Sequence, residues 1–299
     1  MHQNQAAPHS NDAQRRAAPV GDFHRFRHGE FDITVLSDGY ITVPIDIVVP
    51  DGTPDERLNV LTATGNPTTR DVTSKTNVPL LRKGNDLILI DIGAGNKYQS
   101  SDGRLPANME IAGIDPATIT KIALTHGHPD HMWAMLRDDG GLRFPNATYY
   151  ISASEWDYWM DPDYQSNMPD ILHEFARGTQ RDFSAIKERA VMVKPGDDVI
   201  SGLRVLDTAG HTPGHISFEV AGGEGLIITG DAATNEIASF HSPEARFGYD
   251  ARPGLAIKNR VRLMQRAASE RIKLLGYHWT YPGVGYAEPY GSGYRYIST

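Results

Sequence analysis

Apolar and polar positions along this chain switch repeatedly between the two-residue period of strands and the 3.6-residue period of helices. From Phe31 the segment FDITVLSDGY alternates as a half-buried strand and meets a turn signal at Asp38-Gly39, and residues 86–93 (DLILIDIG) form a continuous apolar run of buried-strand length. Residues 106–114 predict a short helix, Asp115-Pro116 a turn, and residues 121–124 (KIAL) another strand. Residues 148–152 again predict a strand. Leu172, Phe175, Thr179, Phe183, Ile186 and Ala190 then recur at helical spacing. Three strands follow at 203–207, 216–220 and 226–229, with Gly222-Gly223 turning between the last two. Ile257, Val261, Met264, Ala268 and Ile272 mark a helix before a last short strand at 273–277. The mixture predicts an α/β fold in one layered domain over 21–299, strands inside and helices outside. Residues 1–20, rich in Ala, Pro, Asn and Gln without apolar periodicity, read as a flexible arm.

Composition narrows the function more than the fold. The 299 residues carry a formal net charge of −8 and have no long Lys/Arg block, so the usual footprint of a nucleic-acid binder is missing. The run from Arg260 to Arg266 reads as a solvated helix face. No apolar stretch approaches the roughly 18 residues that span a bilayer, and the first 20 residues are not an apolar signal segment, so no membrane partner is expected. A cytoplasmic start at Met1 and the mature end of an exported protein both stay open, as does a homodimer. With no cysteine, disulfides, thiolate metal sites and cysteine nucleophiles are excluded. Any metal must rest on His and carboxylates.

Such residues are concentrated. The strand at 121–124 runs into Thr125-His126-Gly127-His128-Pro129-Asp130-His131, three imidazoles and a carboxylate just past a strand end. In an extended segment residues two apart point the same way, so His126 and His128 can share one ion, while Asp130 and His131 open the next helix and face another position. Two ions are geometrically natural. Later segments add Gly210-His211-Thr212-Pro213-Gly214-His215, Gly230-Asp231 and Tyr277-His278-Trp279, each following a predicted strand, and six of the twelve histidines fall in the set. An isolated His211 or His278 would carry no weight; strands feeding one sheet edge would bring all of them to one cleft.

The ordered set His126/His128/Asp130/His131, His211, Asp231 and His278 resembles the metallo-β-lactamase-fold hydrolase superfamily from about Gly21 onward. LSDG, IDIGAG, FPNA, GHTPGH and HWTYPGVG followed by GYRY resemble more narrowly the methyl parathion hydrolase branch, with its lactonase-like and chlorothalonil dehalogenase relatives. The resemblance implies an αββα sandwich with one or two zinc ions at one edge of the paired sheets, with Mn, Fe or Co as alternatives. It implies that His126, His128 and His211 hold one metal, that Asp130, His131 and His278 hold the other, and that Asp231 bridges them. Asp130 and Asp231 are thereby the catalytic candidates. Asp91 would orient a ligand histidine from behind, the alternative being a turn-capping aspartate, and His215 would support the ligands without touching a metal. The implied activity is hydrolysis of a hydrophobic small-molecule ester, lactone or phosphotriester by metal-activated hydroxide. A hydrolytic dehalogenase of a chlorinated aryl nitrile and a metal-binding protein without turnover are the rivals.

Two departures bear on substrate. The first motif usually continues into Gly-Gly, but here it reads His131-Met132-Trp133-Ala134, and Thr234 stands where quorum-quenching lactonases often have a tyrosine. All four tryptophans, Trp133, Trp156, Trp159 and Trp279, lie in or near the ligand segments. The sequence reading makes them walls of a pocket for a flat, uncharged or aromatic molecule, the alternative being core or dimer contacts.

Overall fold

A computed structural model describes residues 21–299 of the chain. The arm expected over 1–20 lies outside the described residues. Two seven-stranded sheets each follow sequence order. The first contains β1 (Phe23–His28), β2 (Phe31–Pro44), β3 (Asp71–Lys83), β4 (Asp86–Ile90), β5 (Lys121–Ala123), β6 (Thr148–Ser152) and β7 (Ala190–Val193). It is antiparallel from β1 to β4 and parallel from β4 to β7. The second contains β8 (Asp198–Ile200), β9 (Leu203–Asp207), β10 (Ile216–Val220), β11 (Leu226–Gly230), β12 (Lys273–Gly276), β13 (Val284–Tyr290) and β14 (Gly293–Ser298), with β11 and β12 its one parallel pair. The helices are α1 (Ile45–Val48), α2 (Pro54–Ala63), α3 (Leu105–Ile111), α4 (Pro129–Met132), α5 (Ala153–Trp159), α6 (Tyr164–Asn167), α7 (His173–Ile186), α8 (Ala238–His241) and α9 (Pro253–Ser269).

The sheets face each other across one apolar layer. Ile33, Val35, Leu81, Ile88 and Ile90 of the first meet Val205, Phe218, Ile228, Leu275 and Val284 of the second, all buried. The outer face of the first sheet packs on α3, α5 and α7 through Leu89, Met109, Ile122, Tyr149 and Phe183, and that of the second on α8 and α9 through Ile227, Leu274, Phe240 and Met264. This is the αββα order. Strands covered on both sides become continuously apolar, which is why β4 and β11 read so clearly. In α9 the buried Ala256, Arg260, Leu263, Met264 and Ala267 repeat at helical spacing, giving a stripe about one face wide.

Several boundaries differ from the sequence reading. The Asp38-Gly39 signal is no turn: β2 continues through it to Pro44, and the register with β3 shifts between Ser37 and Gly39. Gly39 takes φ +108° there, and a Cβ would meet the Ser101 carbonyl at 2.3 Å, so a turn-forming dipeptide serves a bulge instead. The 13-residue β3 was not anticipated, because buried Ser74, Thr76 and Asn77 interrupt its apolar alternation. The Arg260–Arg266 run is not a solvated face throughout. Arg260 is buried and donates to the carbonyls of Ala232 and Ala245 and to Asp250.

Candidate metal centre

Strand ends deliver the polar cluster to one edge of the sandwich. Asp91 directly follows β4, β5 leads into His126–His131, the β9–β10 connection carries His211 and His215, Asp231 directly follows β11, and β12 leads to His278. His126, His128, His211 and Asp231 form one buried group and Asp130, His131 and His278 a second, the donor atoms of each lying within 4.8 Å of one another. Asp231 faces both. Its Oδ2 is 3.3 Å from His211 Nε2, while Oδ1 is 3.3 Å from His131 Nε2 and 3.4 Å from His278 Nε2. Asp130 Oδ2 is 3.2 Å from His278 Nε2.

The imidazoles are aimed by hydrogen bonds on their far sides, the arrangement that fixes tautomer and ring plane in metal sites. Asp91 accepts from His131 Nδ1 at 2.8 Å and from the Thr125 hydroxyl at 2.7 Å, and that hydroxyl lies 3.0 Å from His126 Nδ1. One carboxylate thus orients a histidine of each group, one directly and one through Thr125. His211 Nδ1 donates to Asp250, which is held in turn by Arg260, and His278 Nδ1 donates to the Lys75 carbonyl at 2.8 Å. Asn77 donates to the carbonyls of Gly276 and Trp279, tying the His278 loop to β3. The Tyr277 ring stacks on His131 with centroids 3.9 Å apart, and its hydroxyl donates to the Asp130 carbonyl. His215 turns away from the cluster: Nε2 accepts the Asp231 backbone N–H at 2.9 Å and Nδ1 pairs with Thr208. Burial pushes its pKa down to about 3, so it stays neutral and props the carboxylate that faces both groups.

Cations fit this donor set. His128 Nδ1 lies 2.9 Å from both His126 Nε2 and His211 Nε2, so three ring nitrogens converge where lone pairs repel unless something positive lies among them. Burial, reinforced by neighbouring rings, holds His126 and His128 well below the ordinary histidine range, leaving those lone pairs free. In the second group burial acts the same way on His131 and His278, yet the carboxylates outweigh it: both are raised, His278 to about 10, chiefly by Asp231 and Asp130. Asp231 Oδ1 is buried without a hydrogen-bond partner among the described residues, an atom a cation would satisfy.

A narrow cavity opens onto the cluster. Its lining joins His128, Asp130, His211, Asp231 and His278 to Val48, Tyr98, Phe175, Thr234, Phe247 and Tyr249. None of the four tryptophans is among its lining residues. Trp133 lies under α7, where a Cβ on Gly178 would come within 2.4 Å of the indole. Trp156 stacks on Phe183 at 4.9 Å, and Trp279 is packed between Phe240 and Tyr296 with its N–H on the Ala233 carbonyl. Trp159 approaches His128 edge-on at 5.6 Å, but from behind, with its N–H on Glu155. Large flat rings near a ligand loop brace it as readily as they line its mouth. Asp250, Glu155, Asn77 and Tyr277 were not singled out from sequence, since nothing in their local pattern separates them from ordinary polar or aromatic positions.

The fold is an αββα sandwich whose strand ends converge on seven buried His and Asp side chains, in two groups that could each hold a metal ion. Residues 73–283 match the metallo-beta-lactamase superfamily model, and the chain belongs to that superfamily. The N-acyl homoserine lactonase AttM of Agrobacterium fabrum is 31% identical over 136 residues, which are 42% of this chain and 45% of that protein, so the match spans less than half of the relative. The crystal structure of hydrolase AbOPH in the beta lactamase superfamily is similar with a TM-score of 0.86 and 30% identity, covering 94% of this chain and 99% of AbOPH. AidC, a dizinc quorum-quenching lactonase, shares the fold at a TM-score of 0.85 and 24% identity, covering 93% of this chain and 97% of AidC. No helix among the described residues is long and apolar enough to cross a membrane.

Proposed function

We propose that this chain is a two-metal hydrolase of hydrophobic small molecules bearing a lactone, ester or phosphotriester group. The observation that carries the reading is the convergence of two donor groups, shared by Asp231, at the floor of a cavity with a largely apolar wall. Bound there, divalent cations such as zinc supply an activated water at neutral pH and polarise the group under attack. His126, His128 and His211 would hold one ion, Asp130, His131 and His278 the other, and Asp231 would join them.

The chain's own residues do the rest. Phe175, Phe247 and Val48 exclude water and accept an apolar acyl or aryl body, while Tyr98 and Tyr249 line the same cavity. Burial pushes both phenols upward, helped by nearby Asp130, so they stay protonated and can donate to a substrate oxygen. A phenol from another part of the chain can thereby meet the need left by Thr234. The AttM and AidC likenesses support lactones within this range, and AbOPH supports a hydrolase reading over nearly the whole chain. The test is elemental analysis of purified protein followed by turnover of N-acyl lactones, aryl esters, phosphotriesters and a chlorinated aryl nitrile. About two ions per chain with metal-dependent ring opening or ester cleavage is expected. Chloride release alone would make it a dehalogenase, and bound metal without any turnover would make it a binding protein.

A further inference from the structure

Glu155, on the short helix α5, is 1% exposed and makes no contact with the cavity. A buried carboxylate is costly unless fully hydrogen-bonded, and this one is. Its Oε1 accepts the Gly127 N–H at 2.8 Å and the Trp159 indole N–H at 2.5 Å; its Oε2 accepts the Thr212 hydroxyl at 2.6 Å and the Gly214 N–H at 3.1 Å. Three of the four partners, the two backbone N–H groups and the indole, can only donate; burial raises the carboxyl's pKa, and these hydrogen bonds oppose that rise. The division between the oxygens is the telling feature. Gly127 separates His126 from His128, whereas Thr212 follows His211 directly, so one oxygen grips each of the two loops that supply the histidines of the first donor group.

The glycines confirm how closely α5 is seated. A Cβ on Gly214 would meet the Glu155 backbone N at 2.0 Å, and one on Gly127 would meet Trp159 Nε1 at 2.4 Å. Thr179 of α7 adds a bond to the Gly127 carbonyl at 2.8 Å. The second group is fixed by other means: Asp91 holds His131, and Lys75 holds His278.

We propose that Glu155 is a positioning residue for the first donor group alone, setting the spacing of His126 and His128 against His211 by bridging their loops. The inference rests on the two-metal reading above and deepens it. Glu155→Gln keeps the volume but turns one oxygen into an N–H2 facing donors, so one loop loses its acceptor. Loss of such an outer partner typically costs about 10- to 100-fold in metal affinity.

The experiment is Zn2+ titration of metal-stripped full-length protein, read by calorimetry and by metal content, in three backgrounds. Unaltered protein should bind two ions; if it does not, the two-metal reading itself fails, separately from this proposal. With His278→Ala disabling the second group, Glu155→Gln should weaken the remaining ion about 10- to 100-fold. With His211→Ala disabling the first group, the same change should leave the remaining ion's affinity within about twofold, well short of that loss. Equal weakening in both backgrounds, or none in either, overturns the proposal. If Glu155→Gln does not fold, Thr212→Val serves in the His278→Ala background. It should weaken the ion while Thr212→Ser restores binding, and a Thr212→Val protein that binds as tightly as its parent overturns the proposal equally.

Discussion

The two donor groups sit side by side at one sheet edge, yet opposite electrostatics hold them. The first is mainly imidazole: burial and mutual repulsion keep His126 and His128 neutral, and its geometry depends on outer hydrogen bonds through Thr125, Asp250 and Glu155. The second pairs two histidines with two carboxylates: despite burial, the carboxylates raise His131 and His278, and those histidines lower Asp130 and Asp231. One fold therefore prepares an open set of lone pairs beside a set that is already self-neutralising. Asp231 faces both, and the difference between the groups can be broken or sharpened by substitution.

The largest effect is expected at Asp231. Asp231→Ala removes an oxygen from each group and should reduce metal content from about two ions per chain to less than half an equivalent, abolishing hydrolysis. His215→Ala removes only the acceptor for the Asp231 backbone N–H and should cost about 10- to 100-fold in activity or affinity. Equal metal loss in the two variants would show that Asp231 does not link the groups. One step smaller, Asp250→Asn should weaken only the first ion, because His211 is the one candidate ligand it contacts among the described residues. Asp91→Asn should weaken both, because it reaches His131 directly and His126 through Thr125. Each loss is expected at about 10- to 100-fold by competition with a chelator, and an Asp91 effect confined to one ion would refute the shared role.

How far the sequence revealed this edge depends on what each residue does. The seven donors were legible because ligand types recur at strand ends in a local code such as His126-Gly127-His128. The layers were legible wherever strands are apolar on both faces, as in β4 and β11, and illegible in β3, whose buried Asn77 exists to hold a distant loop. Asp250 escaped because its partners, His211 and Arg260, come from separate segments. The cavity lining was hard to read for a related reason: proximity in sequence to a ligand does not say which side of the loop a ring occupies. The cavity is lined by Phe175 on α7 and by Tyr98, Phe247 and Tyr249 in loops. Phe175→Ala should accordingly lower kcat/KM for aryl or long-acyl substrates about tenfold relative to small lactones, with metal content unchanged. An unaltered ratio would remove Phe175 from the substrate surface.

The smallest effect on selectivity is expected at Trp133, which follows the His126–His131 ligand segment by two residues. Its ring is 5% exposed, meets Tyr98 and Phe175 edge-on at 6.2 Å each, and lies against Gly178 of α7. The Arg181 guanidinium stands 5.8 Å from the ring centroid, closing the outer side. With α7 on one face and the cavity-lining rings on its edge, the indole supports the wall from outside without joining it. Trp133→Ala should therefore leave a void and cost about 3 to 5 kcal/mol of stability, as large-to-small changes of a buried aromatic do. Metal content should stay at its original value, and the ratio of aromatic to aliphatic turnover should move far less than in Phe175→Ala. Urea unfolding and paired substrate assays separate the two roles. A stable variant with a changed ratio would return Trp133 to the substrate's side of the wall, and a destabilised variant with the ratio intact fixes it as the backing on which Tyr98 and Phe175 rest.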